Sequence, residues 1–353
     1  MDVARLLKSL SETSGVSGYE HQVRDLVTEA FAALADEVRT DPMGNVIALK
    51  QGVGTGPRRR IMLAAHMDEI GLIVSKLDQG FLRFAQVGGF DVRTLMGQEV
   101  MVHARRDLPG IIGSRPPHVL GEDERNKPVP MEDLFIDVGL TDTELQEVVR
   151  VGDLVTVRRP FLELKNGLVC GKAFDDRAAV VSVALCLDAL QTLRHEWDVY
   201  AVATVQEEVG MRGATTSAYG IVPDIGIAID VGFGKQPGVS ERDAIELDKG
   251  PALTIGPNIH PAMLAELKRV ADAFEIPVQV EVAPSSTGTD AHAIQVTREG
   301  IPTALLSIPL RNMHTPVETL AVKDLVRTGR LMAHFIAGLD ETFVERLSWE
   351  VGE

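Results

Sequence analysis

The sequence alternates between two apolar patterns, and one long stretch breaks that alternation. Short β-branched runs are typical of buried strands, whereas apolar residues recurring every three or four positions are typical of amphipathic helices. Both patterns occur before residue 71 and again after residue 165. Between them lie only short strand-like runs separated by turn residues, which is typical of a small β-barrel or sandwich. The sequence therefore predicts an α/β domain formed by residues 1–70 and 166–353, with a β-barrel domain inserted at residues 71–165.

The predicted elements of the α/β domain are consistent with a sheet covered by helices on both faces. The predicted helices cover residues 3–10, 23–34, 177–193 and 261–274 and part of 320–339. The predicted strands cover residues 45–49, 60–65, 199–205, 225–230, 278–282 and 303–308. Within the insertion, the predicted strands cover residues 72–77, 81–87, 99–104, 134–138 and 154–157.

The charge balance argues against nucleic acid as a partner. The formal net charge of −16 disfavours nucleic-acid binding, because phosphate groups are bound by clustered Lys and Arg. An acidic surface suits a soluble enzyme and attracts metal ions or cationic substrates. The hydrophobic fraction of 45% is ordinary for a globular chain with a sizeable core.

Nothing in the sequence indicates secretion or a membrane. The N-terminal residues lack the apolar core and cleavage site of a signal peptide. The most apolar run, residues 178–187, is too short to span a bilayer. Two cysteines, Cys170 and Cys186, form neither a disulfide framework nor a cysteine metal site. We therefore expect a cytoplasmic protein in a reducing setting, without membrane contact.

Polar residues that could carry chemistry follow the predicted strands, at the edge where open α/β sheets form their sites. The candidates are His66, Asp68, Asp175, Asp176, Glu207, Glu208, Asp230 and His314. Each alone also has a structural explanation. His66 could cap backbone groups at a strand end, and Asp175 and Asp176 could cap a helix. The paired glutamates could be a solvated strand end, and Asp230 could lie in an exposed turn.

Together these residues offer two histidines and at least three carboxylates. That donor set suits a pair of Zn²⁺ ions, or Co²⁺ and Mn²⁺ as alternatives. Two such ions about 3.5–4 Å apart can share a water and polarise a carbonyl, while a carboxylate outside the metal sites transfers the proton. The set thus predicts metal-assisted amide hydrolysis. The residues alone leave open which of Glu207 and Glu208 binds metal and which transfers the proton.

Five motifs, in order, resemble a known family. They are His66-Met67-Asp68-Glu69-Ile70-Gly71, Lys172-Ala173-Phe174-Asp175-Asp176-Arg177, Gln206-Glu207-Glu208-Val209-Gly210-Met211-Arg212-Gly213-Ala214, Ile229-Asp230 and Met313-His314-Thr315-Pro316. The chain resembles the tetrahedral, TET-type metallo-aminopeptidases, the family-42 metallopeptidases that include glutamyl and deblocking aminopeptidases. The resemblance covers nearly the whole chain, including the inserted β module.

The resemblance implies a fold and an assembly. The fold would be a mixed-sheet α/β/α aminopeptidase domain of the phosphorylase/hydrolase-like kind, with an inserted small, PDZ-like β-barrel that mediates dimer contacts. Six dimers would build a hollow tetrahedral dodecamer with inward-facing active sites. The activity implied is the removal of N-terminal amino acids from short peptides by a water bridged between two metal ions.

The resemblance also implies the metal ligands. Asp175 would bridge the two ions. His66 and Asp230 would complete one site, and Glu208 and His314 would complete the other.

Three further roles follow from the same resemblance. Glu207 would be the general base and acid, and Asp68 would orient a neighbouring ligand. Asp176 would follow Asp175 across an unusual peptide bond.

Two other enzyme classes use related residues. An endoglucanase-type glycosidase would use paired carboxylates, but its chemistry needs no histidine ligands and usually relies on aromatic platforms. Only 5% of this chain is aromatic. A metal-dependent deacylase or carboxypeptidase would use similar ligands with other substrate contacts. A non-catalytic metal-binding protein would not need an intact base at Glu207. The preferred N-terminal residue stays open, since loops such as 282–290 and 235–242 would form its pocket.

Overall fold

The structure is a computed structural model that describes residues 1–54, 57–125 and 127–349. Its strands are β1 (Glu37–Thr40), β2 (Val46–Lys50), β3 (Arg60–His66), β4 (Gly71–Asp78), β5 (Phe81–Val87), β6 (Glu99–His103), β7 (Asp107–Gly113), β8 (Phe135–Asp137), β9 (Leu154–Val157), β10 (Leu162–Glu163), β11 (Leu168–Gly171), β12 (Asp198–Thr204), β13 (Ile225–Phe233), β14 (Ala252–Ile255), β15 (Gln279–Val282), β16 (Thr303–Leu310) and β17 (Glu318–Ala321). Its α-helices are α1 (Val3–Glu12), α2 (His21–Ala32), α3 (Glu122–Arg125), α4 (Asp142–Val148), α5 (Phe174–Ala189), α6 (Arg212–Ile221), α7 (Pro261–Ala273), α8 (Asp290–Gln295) and α9 (Val322–Ala337).

Eight strands form one mixed sheet in the order β1-β2-β12-β3-β13-β16-β14-β15. The four central strands, β12, β3, β13 and β16, are parallel to one another. The two edges are not, because β1 and β2 pair antiparallel with their neighbours and β14 runs antiparallel to β16. The carboxyl ends of the central strands therefore meet at one edge of the sheet.

Helices cover both faces of this sheet, as predicted. On β3, Ile61, Leu63 and Ala65 belong to the larger core, which includes α5 and α9, whereas Met62 and Ala64 belong to a second core with α6 and α8. Strands buried on both faces are apolar at nearly every position. That burial explains why the central strands were recognisable in the sequence as continuous apolar runs.

The predicted β-barrel is confirmed. Six strands close in the order β4-β5-β8-β7-β6-β9, between Gly71 and Val157. The barrel has its own apolar core, centred on Leu72, Val100 and Ile136. A small sheet, β10-β11-β17, lies beside the point where the chain returns from the barrel to α5. The domain boundaries at residues 71 and 165 stay a prediction.

Several elements escaped the sequence interpretation because their apolar pattern is weak. Strand β7 contains Pro109 and Gly110, and helix α6 contains two glycines, so neither shows a clear period. Strand β14 and helix α8 are only 4 and 6 residues long. The range of α5 starts at Phe174, but Asp175 and Asp176 have non-helical backbone angles, so the regular turns of the helix begin near residue 177, as predicted. Within the described ranges, no helix is long and apolar enough to cross a membrane.

Candidate metal centre

All five predicted metal ligands meet at the carboxyl edge of the sheet. His66 is the last residue of β3, and Asp230 lies in β13. Glu208 follows β12, His314 follows β16, and Asp175 lies between β11 and the regular turns of α5. These side chains line one cavity of about 430 Å³. The site thus draws on four neighbouring strands, which explains why its residues are far apart in the sequence.

The ligands form two groups that share Asp175. The ligand atoms of His66, Asp175 and Asp230 lie within 4.8 Å of one another, and so do those of Asp175, Glu208 and His314. His66 Nε2 is 3.1 Å from one carboxylate oxygen of Asp175, and His314 Nε2 is 3.3 Å from the other. His314 Nε2 is also 3.5 Å from Glu208 Oε1. Two cations could therefore bind side by side, with Asp175 between them.

Asp68 holds the site together without belonging to either ligand group. The His66 ring directs Nδ1 toward the Asp68 backbone carbonyl at 3.2 Å, which leaves Nε2 free to bind a metal. The Asp68 carboxylate accepts hydrogen bonds from the backbone N–H groups of Glu207 and Glu208 and from the Ser17 hydroxyl. Asp68 is fully buried. Asp68 is therefore placed to orient the His66 ring, and its carboxylate fixes the turn that carries the paired glutamates.

Glu318 has a similar positioning role, which the sequence interpretation missed. This buried carboxylate accepts hydrogen bonds from the backbone N–H groups of Phe174, Asp175 and His314. It therefore ties the shared ligand to the loop that carries the second histidine. The only sequence signal is its place four residues after His314, at the start of a strand.

Asp176 lies under the site rather than in it. The peptide bond between Asp175 and Asp176 is cis, in agreement with the unusual bond that the resemblance implied. Asp176 Oδ2 accepts a hydrogen bond from the His66 backbone N–H, and Asp176 Oδ1 is buried without a hydrogen-bond partner among the described residues. This residue supports the strand end that presents His66.

A buried ion network lies at the end of β3, the strand that presents His66. Glu69 accepts hydrogen bonds from Lys172 Nζ at 2.5 Å and Arg177 Nη2 at 3.3 Å. Arg177 is completely buried and also donates to the backbone carbonyls of Met67 and Leu10. These residues belong to the predicted motifs but had no assigned role. They hold the end of β3 against the first turn of α5.

The electrostatics of the site call for added positive charge. Burial raises the pKa of Asp230 well above its usual value and that of Glu208 to about 7, and nearby carboxylates add to both effects. Burial opposes ionisation of Asp175 too, but His314 and His66 outweigh it and lower that pKa. Imidazole and carboxylate donors in these two groups suit divalent ions such as Zn²⁺. The residues therefore fit a pair of divalent cations, which would neutralise the crowded carboxylates.

Glu207 lines the cavity but lies outside both ligand groups. Burial raises its pKa to about 10, and the neighbouring Asp230, Asp290 and Glu208 carboxylates contribute to the rise. Positive charge at the ligand groups lowers this pKa, because an adjacent cation favours the ionised carboxylate. Glu207 is therefore placed to exchange protons with a molecule in the cavity.

The cavity walls come partly from the predicted pocket loops. Ala283, Thr287, Gly288 and Thr289 line it, in agreement with the expectation for residues 282–290. Among the described residues, none from 235–242 lines the cavity, so that part of the expectation is wrong. The segment 235–242 follows the end of β13 at Phe233, which itself lines the cavity.

Comparison with known proteins points to one family of aminopeptidases. A family model described as M42 glutamyl aminopeptidase matches residues 44–331. The lysyl aminopeptidase of Pyrococcus furiosus is 40% identical over 333 residues, which cover 92% of this chain and 94% of that protein.

Solved structures agree with that comparison. The TET aminopeptidase of the marine sediment archaeon Thaumarchaeota archaeon SCGC AB-539-E09 superimposes with a TM-score of 0.93 at 36% identity and covers 98% of this chain and 99% of that chain. The TET1 peptidase of Pyrococcus horikoshii, which can assemble into a tetrahedron or a large octahedral shell, has a TM-score of 0.84 at 32% identity. That match covers 96% of this chain and 100% of that chain.

Proposed function

Because the chain belongs to the M42 glutamyl aminopeptidase family and is a metal-dependent aminopeptidase, we propose that it removes N-terminal residues from short peptides with two divalent ions at Asp175. The observation that carries this proposal is the pair of ligand groups that share one carboxylate. Asp175 would bridge the ions, with His66 and Asp230 on one side and Glu208 and His314 on the other.

Two divalent ions held by these residues would supply Lewis acidity that polarises a substrate carbonyl and lowers the pKa of a water. Glu207 would accept a proton from the attacking water and return it to the leaving amine. Asp68 keeps His66 in the tautomer with a free Nε2 and holds the backbone of Glu207 in place. Glu318 fixes Asp175 relative to His314. The reaction thus depends on one proton-transfer residue and on two carboxylates that position the ligands.

Zn²⁺ and Co²⁺ are the ions we propose, with Mn²⁺ as an alternative. The mixture of imidazole and carboxylate donors supports these ions over Mg²⁺ or Ca²⁺, which prefer oxygen donors alone.

We further propose that the barrel mediates dimer contacts and that six dimers form a tetrahedral dodecamer. The similarity to TET peptidases over nearly the whole chain supports this assembly. A cytoplasmic location is supported by the two free, buried cysteines, since neither is paired.

A substrate panel tests the proposed reaction. Aminoacyl-p-nitroanilides, their Nα-acetylated counterparts and carboxymethyl cellulose are incubated with the metal-loaded enzyme. We expect hydrolysis of free aminoacyl substrates and no cleavage of the blocked substrates or of cellulose. Cleavage of cellulose, or equal cleavage of blocked substrates, would contradict the aminopeptidase assignment and favour a glycosidase or an endo-acting peptidase.

A further inference from the structure

The cavity contains one carboxylate that the metal centre does not use. Glu281 lies on β15, the edge strand of the sheet, and lines the cavity. It is the register partner of Thr254 on β14, while Asp230 on β13 is the register partner of Ser307 on β16. Ser307 is the register partner of Ala252 on β14, but its hydroxyl lies 3.2 Å from that of Thr254, so these four residues form a polar row that runs diagonally across adjacent strands. Strands lie about 4.8 Å apart, so roughly 14 Å separate the backbones at the two ends of the row.

Two hydroxyl groups hold the Glu281 side chain in place. Ser307 Oγ donates to Glu281 Oε2 at 2.6 Å, and Thr254 Oγ1 donates to the same oxygen at 3.2 Å. Glu281 Oε1 lies beside Gly232, where an added Cβ would come within 3.2 Å of it. The absence of a side chain at Gly232 thus leaves room for the carboxylate. Both hydroxyls bind the same oxygen, and Oε1 receives no hydrogen bond from the described part of the chain.

No cation of the described protein neutralises Glu281. Among the described residues that line the cavity there is no Lys or Arg. Within residues 1–54, 57–125 and 127–349, the hydrogen-bond partners of the Glu281 carboxylate are the two neutral hydroxyls alone. Of the other acidic residues of the cavity wall, Asp175, Glu208 and Asp230 are the proposed metal ligands, and Glu207 is the proposed proton-transfer residue. The negative charge of Glu281 is therefore available to a ligand.

We propose that Glu281 selects substrates with a cationic N-terminal residue, lysine or arginine, by binding the end of that side chain. This inference rests on the proposed function, since it places the N-terminal residue in the same cavity as the metal ligands. Met211, Val231, Phe233 and Ala283 also line the cavity and offer apolar surface to the methylene groups of a long side chain. The ammonium or guanidinium group then donates to Glu281 Oε1.

A glutamyl side chain is disfavoured by the same arrangement. It would bring a second carboxylate toward Glu281 in a cavity without a described Lys or Arg. The family description includes glutamyl aminopeptidases, so this pocket distinguishes the chain from that activity within its own family.

The test compares kcat/KM for lysyl-, arginyl-, norleucyl- and glutamyl-p-nitroanilide in the metal-loaded wild-type enzyme and in Glu281→Gln. Glutamine keeps the size of the side chain and one oxygen for the two hydroxyls but removes the charge. We expect the ratio of lysyl to norleucyl kcat/KM to fall on the order of 10- to 100-fold, as for loss of a hydrogen bond between charged groups. Norleucyl turnover should stay near the wild-type value.

Glu246→Gln is the matched control. Glu246 lies near the same sheet edge, is exposed, pairs with Lys235 and does not line the cavity. This variant should keep the wild-type substrate preference. Calorimetric binding of free lysine and norleucine gives a readout that is independent of turnover. Lysine should bind more tightly to the wild-type enzyme, and that difference should disappear in Glu281→Gln.

The outcomes separate this inference from the proposed function. Wild-type preference for glutamyl or norleucyl substrates, or a lysyl preference unchanged in Glu281→Gln, would overturn the inference while leaving the aminopeptidase activity intact. Failure of every free aminoacyl substrate would overturn the proposed function and the inference with it.

Discussion

Glu207 and Glu208 are neighbours in the chain, yet the structure places them in different environments. Glu208 belongs to a ligand group with Asp175 and His314, whereas Glu207 belongs to none. Strand alternation could not have separated them, because β12 ends at Thr204 and both residues lie in the turn that follows. From the sequence, only the family resemblance divided their roles. Residue type and spacing identified the pair but did not show which glutamate binds metal and which transfers the proton.

Replacement of the proposed proton-transfer residue should stop the reaction without emptying the site. In Glu207→Gln we expect kcat to fall about 10²- to 10⁴-fold, because the water loses its proton acceptor. Metal content, measured by plasma mass spectrometry, should stay at the wild-type level. Near-normal turnover would exclude Glu207 as the base, and loss of metal would make it a ligand.

Glu20 gives the protein a pH-dependent stability that the sequence did not reveal. Its carboxylate accepts hydrogen bonds from the backbone N–H groups of Gly18 and Gln206, next to the paired glutamates. Burial raises the pKa of Glu20 from 4.5 to about 7. Since the folded-state pKa is above the unfolded value, the folded state holds the proton more tightly. The resulting stabilisation is complete below the unfolded pKa and is lost as the pH rises through about 7.

In Glu20→Gln this pH dependence should be removed. The amide oxygen can still accept both backbone hydrogen bonds, but it carries no charge at high pH. Between about pH 5 and about pH 8, wild-type stability should fall relative to the variant by at most about 3 kcal/mol. Thermal unfolding of both proteins across this range checks the difference. If the stabilities of the two proteins changed equally with pH, Glu20 would not titrate as described.

At the scale of elements, strands were easier to predict than the segments that connect them to the site. The central strands are buried on both faces, so their sequences are continuously apolar. Helix α6 was missed, although it closes the turn that carries the paired glutamates. Its position depends on contacts distant in sequence: Gly213 N donates to the Val205 carbonyl, and Asn45 bonds both Val205 N and the Gly213 carbonyl. Such contacts leave no periodic signal in the sequence.

Two glycines of α6 provide a matched test of this closure. A Cβ at Gly213 would come within 2.5 Å of the backbone N and O of Val205, whereas a Cβ at Gly220 meets nothing within 4 Å. Gly213→Ala should therefore cost about 1–3 kcal/mol of stability and lower activity by displacing the turn with the glutamates. Gly220→Ala should stabilise the same helix by about 0.5–1 kcal/mol and leave activity unchanged. Equal behaviour of both variants in thermal unfolding and kinetic assays would contradict this role.

At the scale of the whole molecule, the inserted barrel was predicted from the absence of helical pattern over a long stretch. The closed six-strand barrel confirmed that prediction, and its apolar core is separate from the cores of the main sheet. The assembly could not be predicted from pattern, because it depends on surface complementarity between chains. The dodecamer was therefore predicted from the family resemblance alone.

The proposed dodecamer has a direct solution test. Twelve chains of 38.2 kDa give a particle of about 460 kDa. We expect light scattering coupled to size exclusion to report that mass for the metal-loaded enzyme. A monomer or an isolated dimer at every concentration tested would contradict the assembly.

The proposed mechanism requires that the two ligand groups hold two ions and that activity depends on both. The most direct measurement is activity against metal content as Zn²⁺ or Co²⁺ is returned to the chelated enzyme. We expect no turnover without metal and full recovery at two ions per chain, while His66→Ala and His314→Ala each bind about one ion fewer. Activity that survives complete metal removal, or that is fully restored by one ion per chain, would contradict the account.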